Sequence, residues 1–527
     1  MKKWKSYKTE ISNQKFDAII IGSGIGGLCT AALLSLKGKS VLVLEKHFKI
    51  GGWTHTFRRD KYEWDVGIHY IGQVHKPNSP VRRLFDLITD KKLQWSPMDK
   101  NYDRIIFPDK SYNFVAPREQ FIDDMISYFP KEESGIMAYM NLLDEVAYSS
   151  RSYFSNKALP ELIGYLTYPF MTRKFLSYSD RTTLEVLSGL TDDQKLIGVL
   201  TGQWGDHGLP PAQSSFAMHA MVNRHYLDGG NYPTGSSRSI GERISDMIEK
   251  KDGILAVNAD VDQIKIYNGR AVGVIMKNGD EIEADTVVSN AGVVNTIQKL
   301  LDHKQVGRSL VNKLQKVEKT KSYVCLHIGL NQSAQNLGIS NTNLWIYPNY
   351  DHDKNVQTYL ENPDTDFPVL YVSFPSAKDL DWDKTHAGFA TMEAITLSTW
   401  EQYTKWQKLP WRNRGDDYED QKESLSNRIL DIVFKHVPGI DQALDYKELS
   451  TPLTVRDLAN YQIGEMYGIN HDPQRFRQRW LRPKSDVKNL FFTGQDITTV
   501  GVTSALFSGL LTASAILKEN LTYLIKA

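Results

Sequence analysis

Cysteine is almost absent from this chain: Cys29 and Cys325 are the two among 527 residues. Two thiols cannot staple a fold of this size, so a disulfide framework is excluded. Cys29, inside an apolar helical stretch, reads as a buried free thiol in a reducing compartment. Neither a CxxC pair nor a cluster of His, Cys and carboxylates at ligand spacing occurs, and no metal is expected. Neither sign of charge is in excess: 63 Lys and Arg face 62 Asp and Glu, for a net +1. Nothing global therefore draws the chain to nucleic acid. Apolar runs long enough to span a bilayer are missing. The N-terminus MKKWKSYKTE is basic but no apolar core follows it, so no secretory signal is expected. The location reads as cytoplasmic, or peripheral on the cytoplasmic membrane face. Internal repeats, low-complexity segments and long linkers are lacking too. Length is not: the chain exceeds one typical core, and two domains or one large interleaved pair is expected.

The stretch 16–45, FDAIIIGSGIGGLCTAALLSLKGKSVLVLE, organises the rest. The Ile-rich run at 18–21 suits a strand buried on both faces. Gly22, Gly24 and Gly27 follow in G-x-G-x-x-G spacing, with Ile25 and an extra Gly26 between them. Residues 28–36 predict a helix, Gly38 its left-handed cap, and 40–44 a second buried strand that stops at Glu45. Gly22 allows the tight turn, Gly24 lets a pyrophosphate approach the backbone, and Gly27 lets the helix sit on the strand. The helix N-terminus offers free N–H groups to the phosphates. Glu45, followed by Lys46, can accept hydrogen bonds from both ribose hydroxyls and repels a 2′-phosphate, which argues against NADP.

Further along, Gly51-Gly52 permits a second close backbone approach. Residues 53–57 and Tyr62–Asp65 read as short strands around a turn at 59–61, after which Asp65-Val66-Gly67 returns the chain to the nucleotide. From 71 to 231 the pattern changes, and 121–178 is dominated by aromatic-rich helical periodicity, read as an insertion. Strands are predicted at 254–257, Val261–Tyr267, 271–276 and 281–288, with hairpin turns at Asn268-Gly269 and Asn278-Gly279. The last of these runs into VVSNAG, which contains Asn290. Strands YVCLHIGL, LWIYP, PVLYVSFP and FATMEAITL alternate well enough for a sheet with one face on a cavity. Residues 402–436 read as charged helix, with 416–423 a solvated acidic face. The end, 488–517, gives a buried strand at 490–492, a turn at 494–496 and an apolar helix from 501.

GSGIGG with Glu45, the Gly51-Gly52 pair, NADVDQI, VVSNAG and FFTGQD-x₄-GV together resemble the FAD-dependent phytoene desaturase and carotenoid isomerase superfamily. QWGDHGLPPAQSS, Met218-His219-Ala220 and GGNYPTGS bring the resemblance closer to retinol saturases. It covers essentially the whole chain. It implies an α/β fold with a Rossmann-like FAD-binding domain of the amine oxidase and phytoene desaturase type. That domain would comprise 14–72, 235–300 and 484–527, interleaved with a mixed-sheet and helical substrate domain of 73–234 and 301–483. It also implies non-covalent FAD. Gly22, Gly24, Gly26 and Gly27 would hold its pyrophosphate, Glu45 its ribose, and Gly52 and Thr54 its phosphates and ribityl chain. Val261 would contact adenine. Gly494 and Asp496 would reach the ribityl or pyrophosphate region, and Gly501, Val502 and Thr503 would set a helix N-terminus near flavin O2. Gly67, Ile68, His69 and Tyr70 would lie near the ring.

A flavin performs the redox step, so a catalytic triad or carboxylate pair is not required, and neither is visible. His69, Tyr70 and His207 are the candidate proton-handling residues, with Asp206 and Tyr226 behind them; a structural role is the competing reading for each. The expected activity is reduction of a carbon–carbon double bond in a long apolar polyene. Alternatives are cis–trans isomerisation, desaturation or a fatty-acyl substrate, and, in another class, a prenyl-binding escort without redox chemistry. A separate electron donor is expected, since no second nucleotide fingerprint occurs. Peripheral membrane contact is expected through residues 153–178, where Phe154, Leu162, Ile163, Tyr165, Tyr168, Phe170, Phe175 and Tyr178 accompany Arg173 and Lys174.

Overall fold

A computed structural model describes residues 4–302 and 308–526. Two seven-stranded sheets dominate it. In the first, Ile254–Ala256, Val41–Leu44, Lys15–Ile21, Glu281–Ser289 and Leu490–Phe492 lie side by side and parallel. Ile20 is level with Val43 on one side and Val288 on the other. The long strand Glu281–Ser289 plays two parts. Its start pairs antiparallel with Arg270–Met276, which continues to Val261–Tyr267, and its end pairs parallel with Leu490–Phe492.

Both faces of this sheet are covered, which is why its strands are apolar throughout. Ala18, Ile20, Val41 and Val43 pack under the helices Ile25–Leu36, Pro80–Ile88, Arg238–Lys250 and Val502–Leu517. Ile19, Ile21, Leu42 and Leu44 pack against the antiparallel meander through Val261, Ile264, Val274 and Ile282. Cys29 is fully buried, as expected, and burial pushes its thiol far up from the ordinary range.

The second sheet runs in the order Leu444–Ser450, Ser322–Leu330, Ala390–Ser398, Leu370–Ser373, Asn343–Ile346, Asn101–Ile106, Ser111–Val115. Its period of two separates two roles. Val324, Leu326 and Ile328 enter the core, while Tyr323, Cys325 and His327 face a cavity. The hairpin of Thr56–Arg59 and Tyr62–Asp65 ties the sheets together, and Trp64 Nε1 donates to Ile328 O at 3.0 Å.

Four expectations need correction. Residues 52–54 form a 3-10 turn rather than the start of a strand. The stretch 71–231 is more than a helical insertion: it contains the hairpin Asn101–Ile106 and Ser111–Val115, and the first of these pairs parallel with Asn343–Ile346. Residues 402–436 are broken into a 3-10 segment Trp400–Trp406 and the helix Asp416–His436. Finally, Val74, Val81, Leu84, Phe85, Ile88 and Leu93 join the core beneath the first sheet, beyond the boundary placed at 72.

The aromatic stretch 153–178 divides between two helices, Glu133–Ala158 and Glu161–Ser179. Tyr153, Phe175 and Tyr178 are core, whereas Leu162, Ile163, Tyr165, Leu166 and Phe170 are exposed, Phe170 to 88%. Among the described residues no helix is long and apolar enough to cross a membrane.

A glycine cradle that opens into an aromatic chamber

One continuous cavity of about 940 Å³ runs from the ends of the parallel strands to the face of the second sheet. Its two ends differ in kind.

The first end is lined by backbone. The strand Lys15–Ile21 stops at Gly22, and the helix Ile25–Leu36 begins at Gly24, which makes no side-chain cap. Its first N–H groups therefore face the cavity unclaimed. A second helix, Val502–Leu517, starts in the same way from Gly501. The turn has no room for a side chain. A Cβ on Gly26 would lie 2.8 Å from Gly494 Cα, one on Gly27 2.4 Å from Gly22 O, and one on Gly52 2.9 Å from Gly24 Cα. Glu45 closes this end. Ser23 N–H and Oγ–H donate to its Oε2 at 2.8 and 2.6 Å, and His47 N–H donates to its Oε1 at 2.8 Å. Burial pushes the Glu45 carboxyl up, and those donors oppose the shift.

Of the sequence-predicted nucleotide residues, Gly22, Gly24, Ile25, Gly26, Glu45, Lys46, Gly52 and Thr54 line this cavity. So do Gly67, Ile68, His69, Val261, Asn290, Gly494, Asp496, Gly501, Val502 and Thr503. Gly27 stands behind the wall, where the helix crosses the strand. Asn290 wedges its amide between Gly24, Gly26 and Gly494. Asp496 Oδ2 accepts from Val293 N–H at 2.8 Å. Lys46 is paired with Asp260 at 3.3 Å. The set fits a dinucleotide: two uncapped helix starts for phosphate and carbonyl oxygens, no side chain in the turn, and a carboxylate at the ribose position.

The second end is lined by side chains. Tyr70 stacks on Tyr226 with centroids 4.1 Å apart and 15° between planes. Trp345 and Tyr371 pair at 4.5 Å, and Tyr323 and Tyr467 at 5.9 Å. Met218, Met221 and Val222 of the helix Phe216–Tyr226 fill between them. Tyr323 Oη and Trp345 Nε1 are buried in this wall without a protein hydrogen-bond partner.

A family model described as an NAD(P)-binding Rossmann-like domain matches residues 20–87. The chain is 33% identical to the all-trans-retinol 13,14-reductase of Danio rerio, over 96% of this chain and 87% of that protein. It belongs to the all-trans-retinol 13,14-reductase family. The prolycopene isomerase 2 of an Oncidium hybrid cultivar stands further off, 28% identical over 84% of this chain and 73% of its own length. In fold, the chain resembles the putrescine-bound wild-type putrescine oxidase, with a TM-score of 0.64 at 15% identity, covering 96% of this chain and 100% of that one.

In this family member a polar layer lies under the chamber, and reading the sequence missed it. Glu393 sits inside the apolar strand Ala390–Ser398, with His69 Nδ1 3.1 Å from Oε2 and His327 Nδ1 3.7 Å from Oε1. Burial works against the Glu393 carboxylate, but the two histidines outweigh it and hold it below the usual range. Burial and the Glu393 charge in turn hold Asp65 above that range. Lys378 Nζ, fully enclosed, donates to His69 O at 3.0 Å, Asn343 Oδ1 at 2.5 Å and Ser373 Oγ at 2.7 Å. Burial pulls it down to about 7 against the attraction of Asp103, Glu393 and Asp65. Asp103 accepts from Tyr70 Oη at 2.8 Å, Gln203 Nε2 at 2.6 Å and Asn343 Nδ2 at 2.8 Å. No carboxylate pair was visible in the sequence, yet the fold brings buried acids within electrostatic reach of one another, Asp65 with Glu393 and Asp103 with Asp206. A lone acid inside an apolar run, as in FATMEAITL, was the available signal for Glu393.

His69 and Tyr70 do reach the cavity. His207 does not line it: its ring is buried, and burial pulls it down to about 3, so it stays neutral.

Proposed function

We propose that this protein is an FAD-dependent oxidoreductase that reduces a carbon–carbon double bond of a retinoid-like polyene. The observation that carries this is the continuity of the glycine cradle with an aromatic chamber inside one cavity. Bound flavin supplies the two-electron chemistry. The chain's own residues bind, orient and exclude water. The uncapped helix starts at Gly24 and Gly501 take the anionic groups, and Glu45 takes the adenosine ribose. Val261 reaches the adenine, while Gly52, Thr54, Gly494 and Asp496 flank the phosphates and ribityl chain. No cysteine is suited to a flavin linkage: Cys29 is enclosed, and burial and Glu393 keep the Cys325 thiol protonated. Acid precipitation is therefore expected to release a yellow supernatant, and flavin left in the pellet would refute non-covalent binding.

The chamber favours a polyene with a polar end. A terminal hydroxyl can pair with Tyr323 Oη and Trp345 Nε1, which a pure hydrocarbon leaves buried and unsatisfied. The three aromatic pairs match a flat conjugated chain. The anaerobically reduced holoenzyme, mixed with a single equivalent of retinol, decides between the chemistries. Saturation oxidises the flavin in step with loss of one double bond. Isomerisation changes substrate geometry with the flavin still reduced, and desaturation requires oxidised flavin. Either of the last two results ends the reductase reading. Reducing equivalents are assigned to a separate donor, because the glycine-rich turn is used once.

A long polyene partitions into lipid, and the helix Glu161–Ser179 is assigned as the contact with a lipid surface. Leu162, Ile163, Leu166 and Phe170 project from it beside the exposed Arg173, and the Arg479 guanidinium lies over Tyr165 and Tyr168. Phe175 is excluded from that face because it is fully buried. Replacing Leu166 and Phe170 by Ser is expected to cut liposome co-sedimentation with flavin content unchanged; undiminished sedimentation rejects the assignment.

A further inference from the structure

We propose that Asp206 is the acid that gives the substrate its second hydrogen, with Tyr70 and Asp103 as its positioning residues. This rests on the reading of the chain as a double-bond reductase. Asp206 ends the 3-10 turn Trp204–Asp206 and lines the chamber among the aromatic pairs. Its Oδ2 lies 3.3 Å from Tyr70 Oη, which itself lies 2.8 Å from Asp103 Oδ2.

The direction of these bonds follows from counting protons. Tyr70 has one to give. Asp103 also accepts from Gln203 Nε2 and Asn343 Nδ2, and Asn343 is in turn bonded to Lys378. Burial pushes the Asp103 carboxyl up as well, but three donors and Lys378 oppose that shift, whereas Tyr70 alone opposes it at Asp206, so Asp103 is the member of the pair that ionises first. Tyr70 therefore donates to Asp103, and its oxygen is left to accept a proton held on Asp206. Two carboxyls bridged by one hydroxyl in an apolar site do not both ionise. In agreement, burial first, and the Asp103 charge second, push Asp206 well above the ordinary carboxylate range. A carboxylic acid kept neutral against an apolar chamber is what proton delivery to carbon requires.

Tyr70 would become a phenolate between two carboxyl groups if it gave up its proton, and burial and those acids push its hydroxyl well above the ordinary range. His207 lies behind the wall. His69 presents Nδ1 to Glu393 and is the rival donor, which turnover of Asp206→Asn separates from Asp206. A reduced flavin would supply the hydride for one C–H bond and be left oxidised, and the electron pair of the double bond would pass to the neighbouring carbon, delocalised along the polyene. That pair would take the Asp206 proton: the O–H bond breaks, a second C–H bond forms, and Asp206, left as a carboxylate beside Asp103, must regain a proton from water before the next turnover.

The test uses flavin-loaded enzyme and two readouts. The infrared spectrum of the wild type near neutral pH must contain the carbonyl stretch of protonated carboxyls, to which Asp65, itself held above the usual range, also contributes, and Asp206→Asn must remove one component while the Asp65 component stays. A wild type without any such band overturns the proposal whether or not the variant folds. A band of undiminished intensity in Asp206→Asn overturns it equally. In turnover, Asp206→Asn is expected to lower kcat at least a hundredfold, with KM for the polyene and flavin content unchanged, and Asp206→Glu to recover part of the loss. Undiminished kcat in Asp206→Asn, beside an active wild type, sinks this proposal alone. A wild type that reduces no polyene sinks the reductase reading instead, and with it the role given to Asp206.

Discussion

The two ends of the cavity are built from opposite materials. The nucleotide end is backbone: glycines that touch other backbone, helix starts with no side-chain cap, and one carboxylate. The chamber end is side chain: three aromatic pairs above a layer of buried Asp, Glu, His and Lys. A backbone wall recognises what every dinucleotide shares, and it tolerates no added atom. A side-chain wall can be refitted residue by residue without disturbing the fold that carries it. The two ends should therefore fail differently, the chamber through charge and the cradle through volume.

The largest effect is expected from Lys378→Met. The change leaves His69 O, Asn343 Oδ1 and Ser373 Oγ without their donor, and Asp103 and Glu393 without a cation. Breaking a buried charge cluster from one side costs about 3–5 kcal/mol. Denaturant unfolding measures it; a loss below about 1 kcal/mol, the net worth of an ordinary neutral hydrogen bond, would mean that Lys378 is not the cation of this layer.

Next comes Gly27→Ala, which puts a methyl 2.4 Å from Gly22 O, where both partners are backbone and neither can swing away. Overpacking of that kind costs about 3 kcal/mol and is expected to abolish flavin retention. Gly38→Ala is the control. Its Cβ meets nothing within 4 Å, and only its φ of +76° is unfavourable, worth about 1 kcal/mol. Gly27 has no positive φ, so a loss there no larger than at Gly38 would show that a small backbone shift relieves the contact and that volume does not fix the cradle.

The same difference decided what could be read in advance. Strand, glycine turn, helix, second strand and Glu45 are adjacent in sequence and must satisfy one another locally, so their order and their place at one end of the cavity were legible. Gly27, read as the helix-packing glycine, is the one member of the set that stands behind the wall rather than on it. The chamber is assembled from positions as far apart as Tyr70, Asp103, Asp206, Tyr323, Lys378 and Tyr467. None of these has a local reason to be where it is. The hairpin at Asn101–Val115 was missed for the same cause, since its first strand pairs with Asn343–Ile346, more than two hundred positions away. His207 was singled out while its neighbour Asp206 faces the chamber, because a turn's orientation is set by what it packs against.

Glu45→Ala sharpens the cradle side with a smaller change. The fold should survive, since the side chain closes a local turn rather than a core. FAD binding should weaken by about 1.5–3 kcal/mol, the scale of hydrogen bonds to a charged group. Flavin remaining after extensive dialysis measures it, and full retention would count against the ribose role. Glu45→Gln keeps one acceptor oxygen and should fall between the two.

The smallest effect is expected from Tyr226→Leu, and it asks whether the two ends are independent. Tyr226 meets Tyr70 chiefly through its ring, stacked at 4.1 Å, with a weaker hydrogen-bond contribution from the Tyr70 hydroxyl. Losing such a pair costs about 1 kcal/mol beyond the area buried. Tyr226→Phe keeps the ring and should stay within about 0.5 kcal/mol of the wild type. Flavin content should not change in either, because the glycines, Glu45 and the two helix starts touch neither ring of the stack. Turnover should fall in Tyr226→Leu, since the stack fixes the Tyr70 hydroxyl between Asp103 and Asp206. KM for the polyene should rise with it, because Tyr226 is itself part of the wall. If Tyr226→Leu instead releases flavin, the chamber supports the cradle through the segment Gly67–Tyr70, and the division between a backbone end and a side-chain end fails at that segment.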